Sequence, residues 1–432
     1  MSDLKLASLY VRARTLITTL TVISVALGLG LAIIVLLMSH QTQALLTSEV
    51  GAWDLVIGAK GSPLQVVLNS LYYMDAPTGN ISVDVWRRLE RHPAVARILP
   101  LNMGDNFFGS PIIGTVPEFF AGREAPSGKS LLAAGTMFTQ PFEAVVGAEV
   151  ARRQRLKLGQ EIIGAHGWGQ TDDLHPQFPY TVVGVLARTG TSLDRAVYTD
   201  YRSVWIIHAD HDPHQHQPKG GLEAHHAHEH GHEHAAGPHH EHEEEASHDP
   251  YAEVTALLVA LRQPAARFGL VDSLNRQEKA LAVSPVEEIS KLDTTFIAPL
   301  RGVLLIVAYL VVLVSVMSIL ISLYLTIHQR RRDLAILRSL GATRGDIFRL
   351  ITLEAALISG LGVVLGWLFG HGLTAALAPV ILERYGLSVQ ALQLLPGELT
   401  VGFSVWVLGI LAGLWPAHNA CRLRVAESLQ EE

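Results

Sequence analysis

Arg331-Arg332-Asp333-Leu334-Ala335-Ile336-Leu337-Arg338-Ser339-Leu340-Gly341-Ala342-Thr343 decides the fold, because a long apolar segment stands on either side of it. Between His328 and Arg349, six arginines (Arg330, Arg331, Arg332, Arg338, Arg344 and Arg349) face two aspartates, Asp333 and Asp346. A basic excess in a short loop between apolar spans marks the cytoplasmic side of a membrane. Leu334, Ile336, Leu337 and Leu340 fit roughly one face of a short helix, and Gly341 suits its C-terminus. Such a helix either docks a soluble partner or only anchors the loop, and its shape alone leaves both open.

Outward from this loop, four segments have the roughly 20 apolar residues that a membrane span requires. Transmembrane helices are expected over 16–38, 302–327, 350–379 and 398–420; the stretches Leu16–Met38, Gly302–Ile327 and Leu399–Ala420 carry no charge, and Ile351–Gly370 contains only Glu354. Lys5, Arg12 and Arg14 precede the first segment. Its core is too long for a signal peptide, and Met38-Ser39-His40-Gln41 is a poor cleavage site, so it reads as a retained anchor. The basic residues place the N-terminus (1–15), the 328–349 loop and the tail (421–432, with Arg422 and Arg424) in the cytoplasm. The fold class that follows is an α-helical membrane protein with four transmembrane helices in a 1 + 3 arrangement. A large α+β extracytoplasmic domain, 39–301, is inserted between helices 1 and 2, and a short outer loop covers 380–397. Charged residues make up 17% of the 432-residue chain, below the ~25% of ordinary soluble domains. With a single cysteine, Cys421, no intramolecular disulfide is available.

Within the insert, Asp54–Ile57 reads as a buried strand and Leu64–Tyr73 as a helix, preceded by a turn with Pro63 suited to the first helical position. Val83–Arg91 is amphipathic and helical, and strands are expected at Pro111–Val116, Ala144–Gly147, Thr181–Leu186 and Val254–Leu261. Thr189-Gly190-Thr191 with Asp194 reads as a structural turn rather than a ligand site.

The opening stretch, continued through Ile347-Phe348-Arg349-Leu350-Ile351-Thr352-Leu353-Glu354-Ala355, resembles the hallmark segment of the FtsX/MacB/LolC permease family, the membrane subunits of type VII ABC transporters. Val146–Ala151 with Leu156–Gln160, and Val183–Leu186 with Thr189–Thr191 and Leu193–Tyr198, are similar to the extracytoplasmic core of MacB-like permeases. Trp415-Pro416-Ala417 with Arg422, Ala426 and Glu427 looks like the family's closing pattern. The resemblance implies that the loop contacts a separate cytoplasmic ABC ATPase subunit, carried here by Arg331, Asp333, Leu334, Leu337, Arg338, Leu340, Gly341 and Ala342. It implies, too, a second permease copy or a paralogue as partner, in the inner (plasma) membrane.

From His208 to His248, 14 of 41 residues are His and nine are Asp or Glu. The segment is too polar to offset its ordering entropy and is expected to be a disordered loop within the insert. Neutral imidazole is a good ligand for Zn²⁺, Cu²⁺ and Ni²⁺. His225, His226, His228, His230, His232, His234, His239, His240 and His242 offer many overlapping sites rather than one rigid centre. Zinc, or another divalent transition metal, is the expected ion, collected or sensed by a flexible loop. The alternative is a polar linker that binds metal incidentally.

Gly122–Ser130 is one residue too long between its glycines to be a phosphate-binding loop. The chain is therefore not expected to be an enzyme, and ATPase activity belongs to the partner. Glu354 is expected to form a structural pair near Arg349, and His371 to be a packed histidine. Gly362, Gly366 and Gly370 form a small-residue ridge for packing within the subunit or against a second permease. The reading is an ABC permease in metal-linked transport or envelope cargo handling, with an extracytoplasmic metal-binding or lipoprotein partner and no nucleic acid. An FtsX-like scaffold that controls an extracytoplasmic protein, and a lipoprotein or peptide exporter with an incidental histidine linker, fit the same residues.

Overall fold

The computed structural model describes Ala7 and residues 15–421 apart from 124, 126–127, 129, 169–172, 210–252, 278 and 386–388. The chain forms two compact units, Glu49–Glu288 and Met1–Ser48 with Ile289–Glu432. The first helix, α1, runs Thr15–Val50.

The inserted domain, Glu49–Glu288, opens with β1 (Leu55–Ala59), α2 (Pro63–Tyr72), β2 (Ile81–Ser82) and α3 (Val83–Glu90). There follow β3 (Val95–Phe107), β4 (Ser110–Thr115), β5 (Leu132–Gly135), β6 (Glu143–Val146) and α4 (Ala148–Gln154). Next come β7 (Glu161–Ile162), β8 (Ala165–His166), β9 (Tyr180–Leu186), β10 (Val197–Asp200) and α5 (Tyr201–Ala209). The domain closes with β11 (Glu253–Val254), β12 (Ala256–Leu261), α6 (Arg267–Gln277), β13 (Ala280–Val283) and α7 (Pro285–Leu292).

One sheet runs in the order β13-β1-β12-β3-β4-β10-β6-β9-β5, with β7 beside β9 and β8 beside β3. The 13-residue β3 is shared by two cores. Its first half joins β1, β12 and β13 around Leu55, Ile57, Leu257 and Val259; its second half faces Ile112, Val146, Tyr180 and Val182. Proline opens α2, and the Ser82 hydroxyl caps α3 by accepting from the Asp84 amide at 3.2 Å. The stretch Val254–Leu261 is not one continuous strand. Thr255 interrupts it, its hydroxyl accepting from the Met103 amide at 2.9 Å, so β11 pairs with β2 and β12 with β1 and β3. The turn at 189–194 is held internally: the Asp194 carboxylate accepts from the Thr189 amide and hydroxyl and from the Gly190 amide, each at 2.8 Å.

Among the described residues, the second unit holds four helices long and apolar enough to cross a membrane: α1, α8 (Ala298–Gln329), α10 (Arg344–Tyr385) and α11 (Pro396–Cys421). Between α8 and α10 lies the short α9 (Arg331–Ser339). Lipid gives apolar helices no hydrophobic incentive to associate, so close packing must supply the attraction. The glycine ridge of α10 does this against α1. A Cβ on Gly366 would lie 2.9 Å from the Ala26 carbonyl oxygen and 3.0 Å from the Leu29 Cβ, and one on Gly370 would lie 3.0 Å from the Ile33 Cβ. The ridge is therefore consumed within the subunit. Gly409 and Gly413 of α11 meet Ser359 and Ala355 of α10 in the same way. Ser24 on α1 and Ser315 on α8 add an interhelical contact, the Ser315 hydroxyl donating to the Ser24 carbonyl at 2.8 Å.

Replacing Gly366 with Leu should force α1 away from α10 and destabilise the membrane unit by about 1–3 kcal/mol. A lower unfolding midpoint of the detergent-solubilised protein, with Gly372→Leu (open space around its Cβ position) unchanged, is the expected result.

Candidate functional site

The connection between α8 and α10 is built so that little of it can flex. Arg330 breaks α8 at φ −109° and its carbonyl accepts from the Leu334 amide at 3.0 Å, so α9 begins immediately. At the other end the Leu340 amide donates to Ile336 O and the Ala342 amide to Leu337 O, each at 3.0 Å, while Gly341 turns the chain at φ +104°. That conformation is where a glycine is needed. Thr343 then starts α10. Its hydroxyl accepts from the Asp346 amide at 3.2 Å, and the Asp346 carboxylate accepts from the Thr343 amide at 2.8 Å. This reciprocal capping box uses Asp in the place of Glu or Gln.

The apolar residues of α9 do not share one face. Leu334 and Ala335 are buried, and Leu337 packs on a cluster of Ile327, Ile347, Ile351, Ala417 and Ala420 from the ends of α8, α10 and α11. Ile336 and Leu340 point outward, and Leu340 is 80% exposed. The physical reason is angular. Leu334 and Leu337 are three positions apart and share a stripe, whereas Ile336 is displaced by two positions and Leu340 sits at the cap, where helical periodicity ends. Arg331, Asp333, Arg338, Gly341 and Ala342 surround this tip, with Asp333 and Gly341 exposed and Arg331, Arg338 and Ala342 half-buried.

Beneath the helix, Arg330 and Glu354 are both buried, with Arg330 Nη1 3.9 Å from Glu354 Oε2. Glu354 thus faces Arg330 and not Arg349, whose side chain is exposed. Its partner comes from the helix break, which turns Arg330 inward. At the far end of α10, His371 is buried as expected, but with an acidic neighbour from another helix. Its Nε2 stands 2.9 Å from Glu398 Oε2 on the first turn of α11, and its Nδ1 lies 2.6 Å from the Ala391 carbonyl. The Trp367 indole donates to the same Glu398 oxygen at 3.3 Å. Sequence reading missed this pair because 27 positions separate its members. The nine histidines from His225 to His242 lie outside the described residues.

Two family models fit the chain: the MacB-like periplasmic core domain over residues 18–220 and the FtsX-like permease C-terminal domain over 305–424. The chain belongs to the FtsX/MacB family of ABC transporter permeases. Permeases of this family work with a cytoplasmic ATPase subunit. This permease is 22% identical to the pyoverdine export ATP-binding/permease protein PvdT of Pseudomonas fluorescens, over 96% of its own length and 57% of that protein. It is 30% identical to the ABC transporter permease YknZ of Bacillus subtilis over 37% of its length and 36% of YknZ. The chain thus spans less than two thirds of each of these relatives. The periplasmic region of MacB from Actinobacillus actinomycetemcomitans superimposes with a TM-score of 0.32 and 10% identity, over 57% of this chain and 97% of that one. The α8–α10 connection falls inside the FtsX-like match, and β1–β10 inside the MacB-like match.

Removing one member of a buried charge pair leaves the other uncompensated. Arg330→Met should therefore lower the stability of the permease by up to about 3 kcal/mol. The double variant Arg330→Met, Glu354→Leu should recover most of it in the same thermal assay.

Proposed function

We propose that this permease couples ATP hydrolysis in a separate ABC ATPase subunit to movement of its inserted domain, and that α9 is the docking element. The observation that carries this reading is the division of α9 into two sides. Leu334 and Leu337 fasten it to the ends of three spans, while Ile336 and Leu340 present apolar side chains to whatever binds there. An exposed leucine on a stiff, twice-capped connection is placed to receive a push and pass it to α8 and α10 together. The basic excess of residues 328–349 supports a cytoplasmic position for this connection, and with it cytoplasmic termini and an extracytoplasmic inserted domain. A nucleotide-binding partner is supported by the names of PvdT and MacB, which join ATP binding to permease function. A second permease copy or a paralogue would complete a pair, for which α8 offers an extensive apolar surface including Ile306, Leu310, Leu313 and Met317.

The cargo reading is metal-linked. Its support is compositional: fourteen His within residues 208–248, interleaved with carboxylates, make a zinc-class collector with many weak sites. Handling would take place on the extracytoplasmic side, with a metal-binding or lipoprotein partner receiving or delivering the ion.

Co-purification with the ATPase subunit tests the docking role. Leu340→Asp should abolish capture of the ATPase and leave the stability of the permease within about 0.5 kcal/mol of wild type, as befits an exposed site. Leu337→Asp should lose both, because Leu337 packs inward. Undiminished capture by Leu340→Asp would refute the assignment.

A further inference from the structure

The inserted domain contains a cluster of one carboxylate and three imidazoles, apart from the histidine run of residues 225–242. Asp105 sits on β3, His166 on β8, His175 in the loop before β9, and His208 in the last turn of α5. Asp105 and His166 are direct partners across the antiparallel β3–β8 pair, so their side chains leave the same face. The register of β3 against β4 shifts between Met103 and Asp105, a bulge of the kind that re-aims a side chain beside a functional site. Gly104, at the shift, has no Cβ, and one built there would lie 3.5 Å from His208 Nε2. Helix α5 is fixed from below: Asp200 caps it by accepting from the Arg202 amide at 2.9 Å, and Asn102 on β3 donates to the Tyr201 carbonyl at 3.1 Å. His208 is thereby held over β3. The β8 segment is tied to the same strand, with the Gly167 amide donating to Gly104 O at 2.7 Å.

The donors converge on one oxygen. Asp105 Oδ1 lies 3.5 Å from His166 Nδ1, 3.7 Å from His175 Nε2 and 3.8 Å from His208 Nε2. The ligand atoms of Asp105, His166 and His208 all lie within 4.8 Å of one another. Donors bound at 2.0–2.1 Å to a tetrahedral zinc are separated by about 3.3 Å, close to the 3.5 and 3.8 Å from Asp105 Oδ1 to His166 and His208, so side-chain rotation of the two imidazoles toward each other would complete the set. Asp105 is 1% exposed, and among the described residues no donor hydrogen-bonds either of its oxygens. A buried carboxylate accepting no hydrogen bond is costly, and native structures tolerate it where an ion completes the site. The contrast with Asp194 in the same domain, whose carboxylate accepts three hydrogen bonds, shows that the fold satisfies a buried aspartate where it needs only a turn. Tyr180 stands nearby; burial, and then the charge of Asp105, keep its hydroxyl protonated well above the usual tyrosine range, yet among the described residues that hydroxyl donates to neither Asp105 oxygen.

We propose that Asp105, His166 and His208 bind a divalent transition metal of the zinc class, with the buried His175 flanking Asp105 from the interior. One oxygen and several imidazole nitrogens suit zinc and its neighbours; calcium and magnesium take oxygen donors. His166 lies half exposed at the mouth, with its side chain 50% accessible, so the ion can reach the site from solvent. His208 is also the first histidine of the histidine-rich segment 208–248. This inference goes beyond the coupling reading and does not depend on it: it concerns a single rigid site, whereas the histidine run concerns many loose ones.

The test uses the full permease in detergent, with the thirteen histidines from His211 to His248 replaced by Ser so that only the cluster remains. Zinc retained after dialysis against a competing chelator, and the visible absorption of bound Co²⁺, are the readouts. One equivalent of zinc per chain, with the intense absorption of low-coordinate cobalt, is expected. His166→Ala, half exposed and therefore structurally mild, and Asp105→Asn should each weaken zinc binding by on the order of 100-fold or more. Failure of the thirteen-Ser protein to hold zinc, or undiminished binding in both single variants, would overturn the site and identify the cluster as a network of histidine–carboxylate ion pairs. Because neither readout involves the ATPase, such a failure would leave the docking role of α9 untouched.

Discussion

Backbone-to-backbone approach between α1 and α10 is the contact on which the membrane unit rests. Gly362, Gly366 and Gly370 open the surface of α10 so that Val25, Ala26, Leu29 and Ile33 can lie against it. In a solvent of lipid tails this dispersion contact has no hydrophobic substitute. The same device repeats between α10 and α11 at Gly409 and Gly413. Helix α10 is thus the centre of the unit, and α8 is the helix least covered by its own chain, which leaves its apolar residues for lipid or for another subunit.

Charged groups mark the two ends of this bundle. Arg330 and Glu354 meet beneath α9, and His371 and Glu398 meet at the opposite end of α10. Each pair joins different elements, so each fixes a helix position that apolar packing alone would leave free to slide. In the inserted domain, two buried aspartates differ in how they are satisfied. Asp194 is saturated by its own turn, whereas Asp105 is surrounded by imidazoles and, among the described residues, accepts no hydrogen bond. The first is a structural habit of polar turns; the second is a concentration of ligand chemistry.

The membrane architecture was legible in the sequence because apolar length is a one-dimensional signal, as in the charge-free run Leu16–Met38. Local terminators were legible as well: Pro63, Gly341 and the Thr343–Asp346 cap act within a few residues. The orientation of Leu340 was not, because it lies at a cap where helical periodicity ceases to predict a face. Partner choice was harder still. Glu354 lies closer in sequence to Arg349 than to Arg330, yet the break at Arg330 decides the pairing. The cluster at Asp105 was illegible in principle: its members come from β3, β8 and α5, and only the antiparallel register and the bulge at Gly104 bring them together. Among so many histidines, His208 read as part of a polar run, although a helix holds it.

The inserted domain joins the rest of the chain through two neighbouring strands. The chain enters at Leu55 on β1 and leaves at Val283 on β13, and Val56 pairs with Val283, so entry and exit lie at the same end of one antiparallel pair. Strand β1 has neighbours on both sides, whereas β13 is the edge of the sheet. A tension drawing the flanking helices apart would therefore peel β13 from β1 one residue pair at a time, while β1 remained zipped to β12. The free side of β13 carries one substitute for a missing neighbour: the side chain of Asn275 accepts from the Ala282 amide at 2.7 Å and donates to the Ala282 carbonyl at 3.2 Å. Asn275 on α6 is thus a latch that ties the exit strand to the helix preceding it.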